Sequence, residues 1–161
     1  MTQPFEQIYE EHRDAVRAYV RRRASEELVD DVVADVFLVC LRRFEVVPAD
    51  PLPWLYGVAR KTLANERRRR ERKLPAEMPV ARDPEPVGDS TLAAAFSELS
   101  ECDREVLRLV AWEGLALRDA AAALGCSAVA ARVRYHRAKS RLAAKLDTAA
   151  SFRPETEGAM R

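Results

Sequence analysis

Near the end of the chain, a run of basic residues without acids has the chemistry of a nucleic-acid-binding helix. Arg side chains hydrogen-bond guanine edges or phosphate oxygens, and Lys contacts phosphate as a point charge. The run covers residues 129–146 and contains Arg132, Arg134, Arg137, Lys139, Arg141 and Lys145. Their helical spacing predicts that four side chains of this run face inward, those of Ala131, Tyr135, Ala138 and Leu142. The first three arginines are left to face outward, and we expect the other three cations to contact phosphate or solvent.

The residues before this run predict a helix-turn-helix. An Ala-rich helix over 118–124 stops at Gly125, a residue that readily takes the left-handed conformation ending a helix. Ser127 can then accept a backbone N–H and cap the next helix. The second helix of such a motif enters the major groove of DNA, whereas the alternative is a basic helix that only faces solvent. The candidate DNA contacts are Ser127, Arg132, Arg134, His136, Arg137 and Lys139, of which His136 is equally compatible with an ordinary exposed histidine.

A second basic block lies some sixty residues upstream. Residues 60–73 hold eight basic residues and two acids, and they continue a predicted helix that carries Trp54 and Tyr56. Charge beside aromatic rings is the combination that holds single-stranded DNA. Trp54 is more often a core anchor, and the arginine run can also be a solvated helix end. The whole chain has a net charge of only +1, so the remainder is acidic, which indicates other partners as well.

Asp31 and Asp35 lie four residues apart and therefore share one face of a predicted helix. Paired carboxylates can hold a metal or shuttle protons. No Gly-rich loop or nucleophile motif accompanies them in the sequence, so a solvated face or a docking surface for a basic partner is favoured over catalysis. Three scattered Cys and two His do not predict a zinc site. We expect no enzyme activity, no metal and no cofactor.

Helical periodicity predicts an all-α fold made of two small domains. Apolar residues recur at three- and four-residue steps over 5–20, 29–44, 54–63 and 92–110. Residues 74–90 contain four prolines and four acids against one Arg, which predicts an extended linker. The predicted organisation is a first domain at 1–73, a linker at 74–91, a second domain at 92–147 and a disordered tail at 148–161. Without an apolar run near the roughly 18 residues of a membrane span, or a signal-peptide pattern, we expect a cytoplasmic protein that does not insert into membranes.

The order of these parts resembles the extracytoplasmic-function (ECF) group of the bacterial sigma-70 family, the promoter-recognition subunits of RNA polymerase. DDVVADVF, at 30–37, is similar to the segment that grips a coiled coil of the polymerase. WLYGVARKTLANERRRR, at 54–70, is similar to the helix that reads and opens the −10 element. Residues 102–142 are similar to the domain that reads the −35 element.

This resemblance implies roles for individual residues and implies core RNA polymerase, promoter DNA and an anti-sigma factor as partners. The residues implied in polymerase docking are Asp31, Val32, Asp35 and Phe37. Those implied near the −10 strand are Trp54, Arg60, Lys61, Asn65, Arg67 and Arg68. The six helix-turn-helix residues named above are those implied in binding the −35 duplex. The acidic linker fits a tether that threads through the RNA path of the polymerase.

The chain departs from the family pattern in two places that bear on stability and specificity. Ala116 stands where a helix-capping Ser or Thr is common, which predicts a cap weaker by about 1 kcal/mol. The segment before Trp54 is rich in Pro rather than Gly and Ser, which leaves the promoter sequence open. Two other functions remain as alternatives. A stand-alone DNA-binding regulator leaves Asp31 and Asp35 unexplained, and an anti-sigma-like adaptor leaves the Arg-rich helix unexplained.

Overall fold

The computed structural model describes residues 3–73 and 90–152, and every regular element in these two ranges is helical. This confirms the predicted all-α class. The helices are α1 (Phe5–Arg21), α2 (Glu26–Arg42), α3 (Leu52–Lys73), α4 (Ser90–Ser97), α5 (Glu101–Ala111), α6 (Leu117–Leu124) and α7 (Ala128–Ser151). A short 3-10 helix, Phe44–Val46, follows α2.

Two predicted boundaries differ from the helices observed. Helix α4 begins at Ser90, inside the predicted linker, whereas linker residues 74–89 lie outside the described part of the chain. Helix α7 continues to Ser151, so residues 148–151 are helical and the prediction of disorder was wrong for them. The hydroxyls of Thr148 and Ser151 donate to the carbonyls four residues earlier, at Ala144 and Asp147. The rest of the predicted tail, 153–161, also lies outside the described residues.

Helices α1, α2 and α3 form an N-terminal unit in which all three pairs of helices are in contact. Each helix buries one stripe of apolar side chains, as the periodicity predicts. Val16 on α1, Val36 on α2 and Leu55 on α3 are fully buried. Pro51 and Pro53 stand where α3 begins, positions at which proline's missing N–H costs no helical hydrogen bond.

Helices α4 to α7 form a C-terminal unit whose turns follow the predicted chemistry. Gly125 has φ of +67° and ends α6 in the left-handed conformation. The Ser127 hydroxyl accepts from the Ala130 amide at 3.1 Å and caps α7. The side chain of Ser100 caps α5 in the same way, at 3.2 Å from the Asp103 amide. Ala116 begins α6 without a side-chain cap, as the sequence predicts.

The two units pack against each other through a contact between α3 and α6. We call this contact, together with the neighbouring parts of α1 and α5, the seam. Their buried apolar residues form one continuous cluster. Gly57 allows α3 to approach α6 closely, because a Cβ at this position would lie 3.2 Å from the Ala123 carbonyl oxygen. The seam holds the DNA-binding candidates of α3 beside the second unit.

Candidate nucleic-acid and polymerase-binding surfaces

Helix α7 presents the predicted recognition face to solvent. Ala131 and Ala138 are fully buried, and Tyr135 and Leu142 pack partly buried against the core, which confirms the predicted inward stripe. On the opposite side the exposed candidates are Ser127, Arg132, His136, Arg137 and Lys139, while Arg134 is half-buried. The Lys139 ammonium lies 5.5 Å from the Tyr135 ring centroid. The exposed face is therefore basic and free of acids along the first three turns of the helix.

Two basic residues of α7 that were expected to contact phosphate or solvent also form ion pairs within their own unit, and the Arg141 side chain stays 56% exposed. Arg141 donates to the Asp103 carboxylate of α5 at 2.5 Å, and Lys145 donates to Glu98 after α4 at 2.8 Å. Asp103 is buried, so this ion pair is partly shielded from water. These pairs fix the second half of α7 to the body of its unit.

Sequence reasoning missed two valines on the recognition helix. Val129 is 73% exposed and Val133 is 42% exposed, one helical turn apart on the same side of α7. Apolar side chains in a major groove contact the methyl group of thymine. The available signal was that both valines lie off the Ala131–Ala138 stripe, and hence outside the face that the periodicity assigns to the core.

The candidates on α3 divide into an exposed set and a set engaged at the seam. Lys61, Asn65 and Arg68 are exposed. Arg60 is half-buried and donates to the Leu124 carbonyl at the end of α6, at 3.0 Å. Trp54 is half-buried against the core, in agreement with a core anchor.

Arg67 also belongs to the engaged set, because its guanidinium donates to the Glu101 carboxylate of α5 at 2.5 Å. Arg60 and Arg67 thus both bond the C-terminal unit. The structure brings the exposed α3 candidates together on one helix but holds these two arginines against α5 and α6.

The exposed side of α2 combines carboxylates with leucines. Asp31 and Asp35 are exposed, and Leu38 and Leu41 lie 43% and 52% exposed further along the helix. Leu41 falls within the apolar periodicity at 29–44, which predicts an inward side chain, so its exposure differs from that prediction. Val32 and Phe37 are buried in the core at 2% and 3% exposure, the latter packing edge-on against Tyr9 at 4.8 Å. These two docking candidates thus position α2 rather than offer their side chains to a partner.

A buried ionic cluster joins the two units at the seam. Glu105 of α5 accepts from the Tyr19 hydroxyl at 2.6 Å and from Arg23 Nε at 2.9 Å. Arg23 Nη1 donates to Glu113 at 2.9 Å, and Glu113 also accepts from Arg22 at 2.8 Å. None of these residues was a sequence candidate, since Arg and Glu side chains are usually exposed.

Aromatic rings complete this cluster and account for its ionisation behaviour. The Tyr19 and Tyr56 rings stack at 4.8 Å, and the Arg23 guanidinium lies 3.6 Å above the Tyr19 ring. Burial, reinforced by the Glu105 carboxylate, raises the pKa of Tyr19 well above its ordinary value. Burial also raises the pKa of Tyr56 to about 12. Burial disfavours the charged form of Arg23 and so lowers its pKa, but its partners Tyr19 and Glu105 outweigh this and hold the pKa above the ordinary value.

Among residues 3–73 and 90–152, no three His, Cys, Asp or Glu side chains are grouped so that they could bind a metal ion. In the same two ranges, no helix has the length and apolar character needed to span a membrane.

Comparison with protein families matches both units in order. Residues 8–73 match the family described as Sigma-70 region 2, and residues 90–142 match Sigma-70, region 4. The ECF RNA polymerase sigma factor EcfG of Rhodopseudomonas palustris (strain TIE-1) is 31% identical over 138 residues. That alignment covers 78% of this chain and 76% of the relative.

Solved structures with similar folds extend over both units. The sigma factor RpoE from Bartonella quintana, in complex with the anti-sigma factor NepR, has a TM-score of 0.64 at 24% identity, covering 89% of this chain and 96% of that one. CnrH, in complex with the cytosolic domain of CnrY, has a TM-score of 0.63 at 27% identity, covering 89% and 88%. The PhyRSL–NepR complex from Sphingomonas sp. Fr1 has a TM-score of 0.69 at 17% identity, covering 99% of this chain and 98% of that one.

Proposed function

This chain belongs to the ECF group of the sigma-70 family of RNA polymerase sigma factors, and we propose that its two units divide promoter recognition between them. The unit at 3–73 binds core polymerase and the −10 element, and the unit at 90–152 binds the −35 element. The observation that carries this division is that each unit exposes its own basic helix face, on α3 and on α7. Each face also falls within the matching family region.

At the −35 element, α7 enters the major groove and reads the duplex. Arg132 and Arg137 are exposed and have the fork geometry that bonds guanine edges or phosphates. Val129 and Val133 add an apolar contact that favours thymine at adjacent positions. Arg141 and Lys145 keep the rest of α7 in register on α4 and α5.

At the −10 element, α3 stabilises an unpaired strand. Lys61, Asn65 and Arg68 are the exposed contacts, and Arg60 and Arg67 join them once they leave the seam. Holding an unpaired strand offsets an unstacking cost of a few kcal/mol per step, by charge and stacking and without covalent chemistry. We therefore infer a non-enzymatic initiation factor that works in the cytoplasm, where the polymerase is.

Polymerase docking is assigned to the exposed side of α2. Asp31 and Asp35 supply charge complementarity to a basic partner, and Leu38 and Leu41 supply apolar area that is otherwise exposed. Charge reversal, Asp31→Lys with Asp35→Lys, should abolish holoenzyme formation in a pull-down with core polymerase. The matched control is Glu10→Lys with Asp14→Lys, which places the same two charges four residues apart on an exposed part of α1.

Promoter-directed transcription by core polymerase plus this protein tests the function itself. We expect specific initiation on a subset of a genomic promoter library, and none with the α2 charge-reversal variant. Sequence-specific DNA binding without polymerase binding would instead establish the stand-alone regulator. A DNA affinity that does not change with salt concentration would exclude the proposed phosphate contacts, because each neutralised phosphate releases counterions.

We also propose an anti-sigma factor as a regulatory partner. The support is that the similar RpoE fold was solved in complex with an anti-sigma factor. A two-hybrid screen against genomic fragments should yield a protein that also suppresses transcription by the reconstituted holoenzyme. Interactors that leave transcription unchanged would not qualify, and a saturating screen without an inhibitor would overturn this assignment.

A further inference from the structure

We propose that the seam contains a binding site for a small phosphate-class oxyanion. A cavity of about 220 Å³ lies there between α1, α3 and α5. It is lined by five arginines and only two glutamates. The arginines are Arg23, Arg60, Arg67, Arg68 and Arg108. Such a concentration of one charge in a concave site favours anion binding.

The two glutamates of the lining offset two of its five arginine charges, and Glu113 beside the lining offsets a further one through Arg23, so the lining keeps a net positive charge. Glu105 accepts from Tyr19 and Arg23 through its two carboxylate oxygens, and Glu101 pairs with Arg67. Arg60, by contrast, donates to the neutral carbonyl of Leu124, which does not balance a full charge. Arg68 is exposed at the mouth of the cavity.

Two buried donor groups of the cavity lining lack an acceptor among the described residues. These are Nη2 of Arg23 and Nε of Arg60. The Arg23 side chain is only 4% exposed, and charged donors at such depth are rarely left without an acceptor. Phosphate offers several acceptor oxygens, and guanidinium groups bind it in a bidentate geometry. The lining thus has the charge, the donors and the concavity of an oxyanion site.

The size of the cavity restricts the ligand. Pockets for larger organic ligands occupy roughly 300–1,000 Å³. At about 220 Å³ this cavity favours inorganic phosphate or pyrophosphate over a nucleotide with its base. An anion that contacts α1, α3 and α5 together binds only when the units are packed, so it stabilises this packed arrangement by linkage.

Calorimetric titration of the full chain with sodium phosphate and sodium pyrophosphate, at constant ionic strength, tests the site. We expect binding of one anion per chain, weakened at least tenfold by Arg60→Gln and by Arg68→Gln. Arg68 is exposed, so its variant remains informative if Arg60→Gln misfolds. Arg72→Gln removes an exposed arginine of α3 outside the cavity and should leave the affinity unchanged. Absence of binding, or equal weakening by all three variants, would overturn the proposal.

Cys102 provides an independent measure of where the anion binds. It lines the cavity and is exposed, whereas Cys126 lies elsewhere and is half-buried. Saturating pyrophosphate should slow alkylation of Cys102 severalfold relative to Cys126. An unchanged ratio would place the anion outside the seam and contradict the proposal. Neither measurement involves DNA or polymerase, so its outcome is independent of the proposed sigma function.

Discussion

Glu105 is the residue on which the polar part of the seam depends most. It is buried and accepts from the Tyr19 hydroxyl and from Arg23, which is itself buried. Removing one partner of a buried ion pair leaves an uncompensated charge. We predict that Glu105→Ala lowers the free energy of unfolding by about 3 kcal/mol, measured by urea denaturation.

Glu101→Ala is the matched control for this substitution. Glu101 also pairs with an arginine across the seam, Arg67, but it is exposed. Water and salt screen such pairs, so this variant should lose at most about 1 kcal/mol. Equal losses for the two glutamates would contradict a special contribution of the buried cluster.

The raised pKa of Tyr56 predicts how the free energy of unfolding changes at alkaline pH. Its folded-state pKa is raised to about 12, whereas an unfolded tyrosine ionises near 10. The contribution of the neutral phenol is complete below pH ~10 and is lost as the pH rises toward 12, with a slope of at most about 1.4 kcal/mol per pH unit. Urea unfolding of wild type and Tyr56→Phe over this range should show a shallower decline for the variant, and parallel curves would exclude this ionisation as a cause.

At the scale of elements, α6 lacks a side-chain N-cap and can be stabilised by adding one. Ala116 has the extended backbone of an N-cap, with φ −64° and ψ 153°, and no side-chain acceptor. Ala116→Ser should raise the free energy of unfolding by about 1 kcal/mol, because the hydroxyl can accept an otherwise unbonded N–H of the first turn. Ala122→Ser, at an exposed position inside α6, is the control and should be slightly destabilising. A stabilisation shared by both variants would rule out capping as its cause.

The elements were predictable where their signals are local. The spacing of Ala131 and Ala138 identified the buried face of α7, and Gly125 with Ser127 identified the turn before it. The pairing of Arg141 with Asp103, 38 residues away, leaves no mark in its neighbouring sequence. A basic residue on a basic helix was therefore assigned to phosphate or solvent, although it anchors the helix.

At the scale of the whole molecule, the arrangement of the two units was not predictable from sequence. Arg23 and Glu105 are 82 residues apart, and each occurs in a charged stretch typical of solvent-exposed helix. Apolar periodicity shows which face a helix buries but not whether a second unit covers its polar residues. The seam bears on the proposed −10 assignment, because it engages Arg60 and Arg67, which that proposal requires at the DNA.

Separating the units should therefore expand the molecule. Gly57→Leu places a side chain where even a Cβ would lie 3.2 Å from the Ala123 carbonyl oxygen, a backbone atom that cannot move aside easily. A compact chain of this length has a radius of gyration of about 15 Å, and we expect the variant to exceed wild type by several ångström in small-angle X-ray scattering. Glu71→Leu adds the same side chain at an exposed position of α3 away from the seam, and it should leave the radius unchanged. If Gly57→Leu keeps the wild-type radius and helix content, the seam tolerates the side chain, and close contact between α3 and α6 is not what holds the units together.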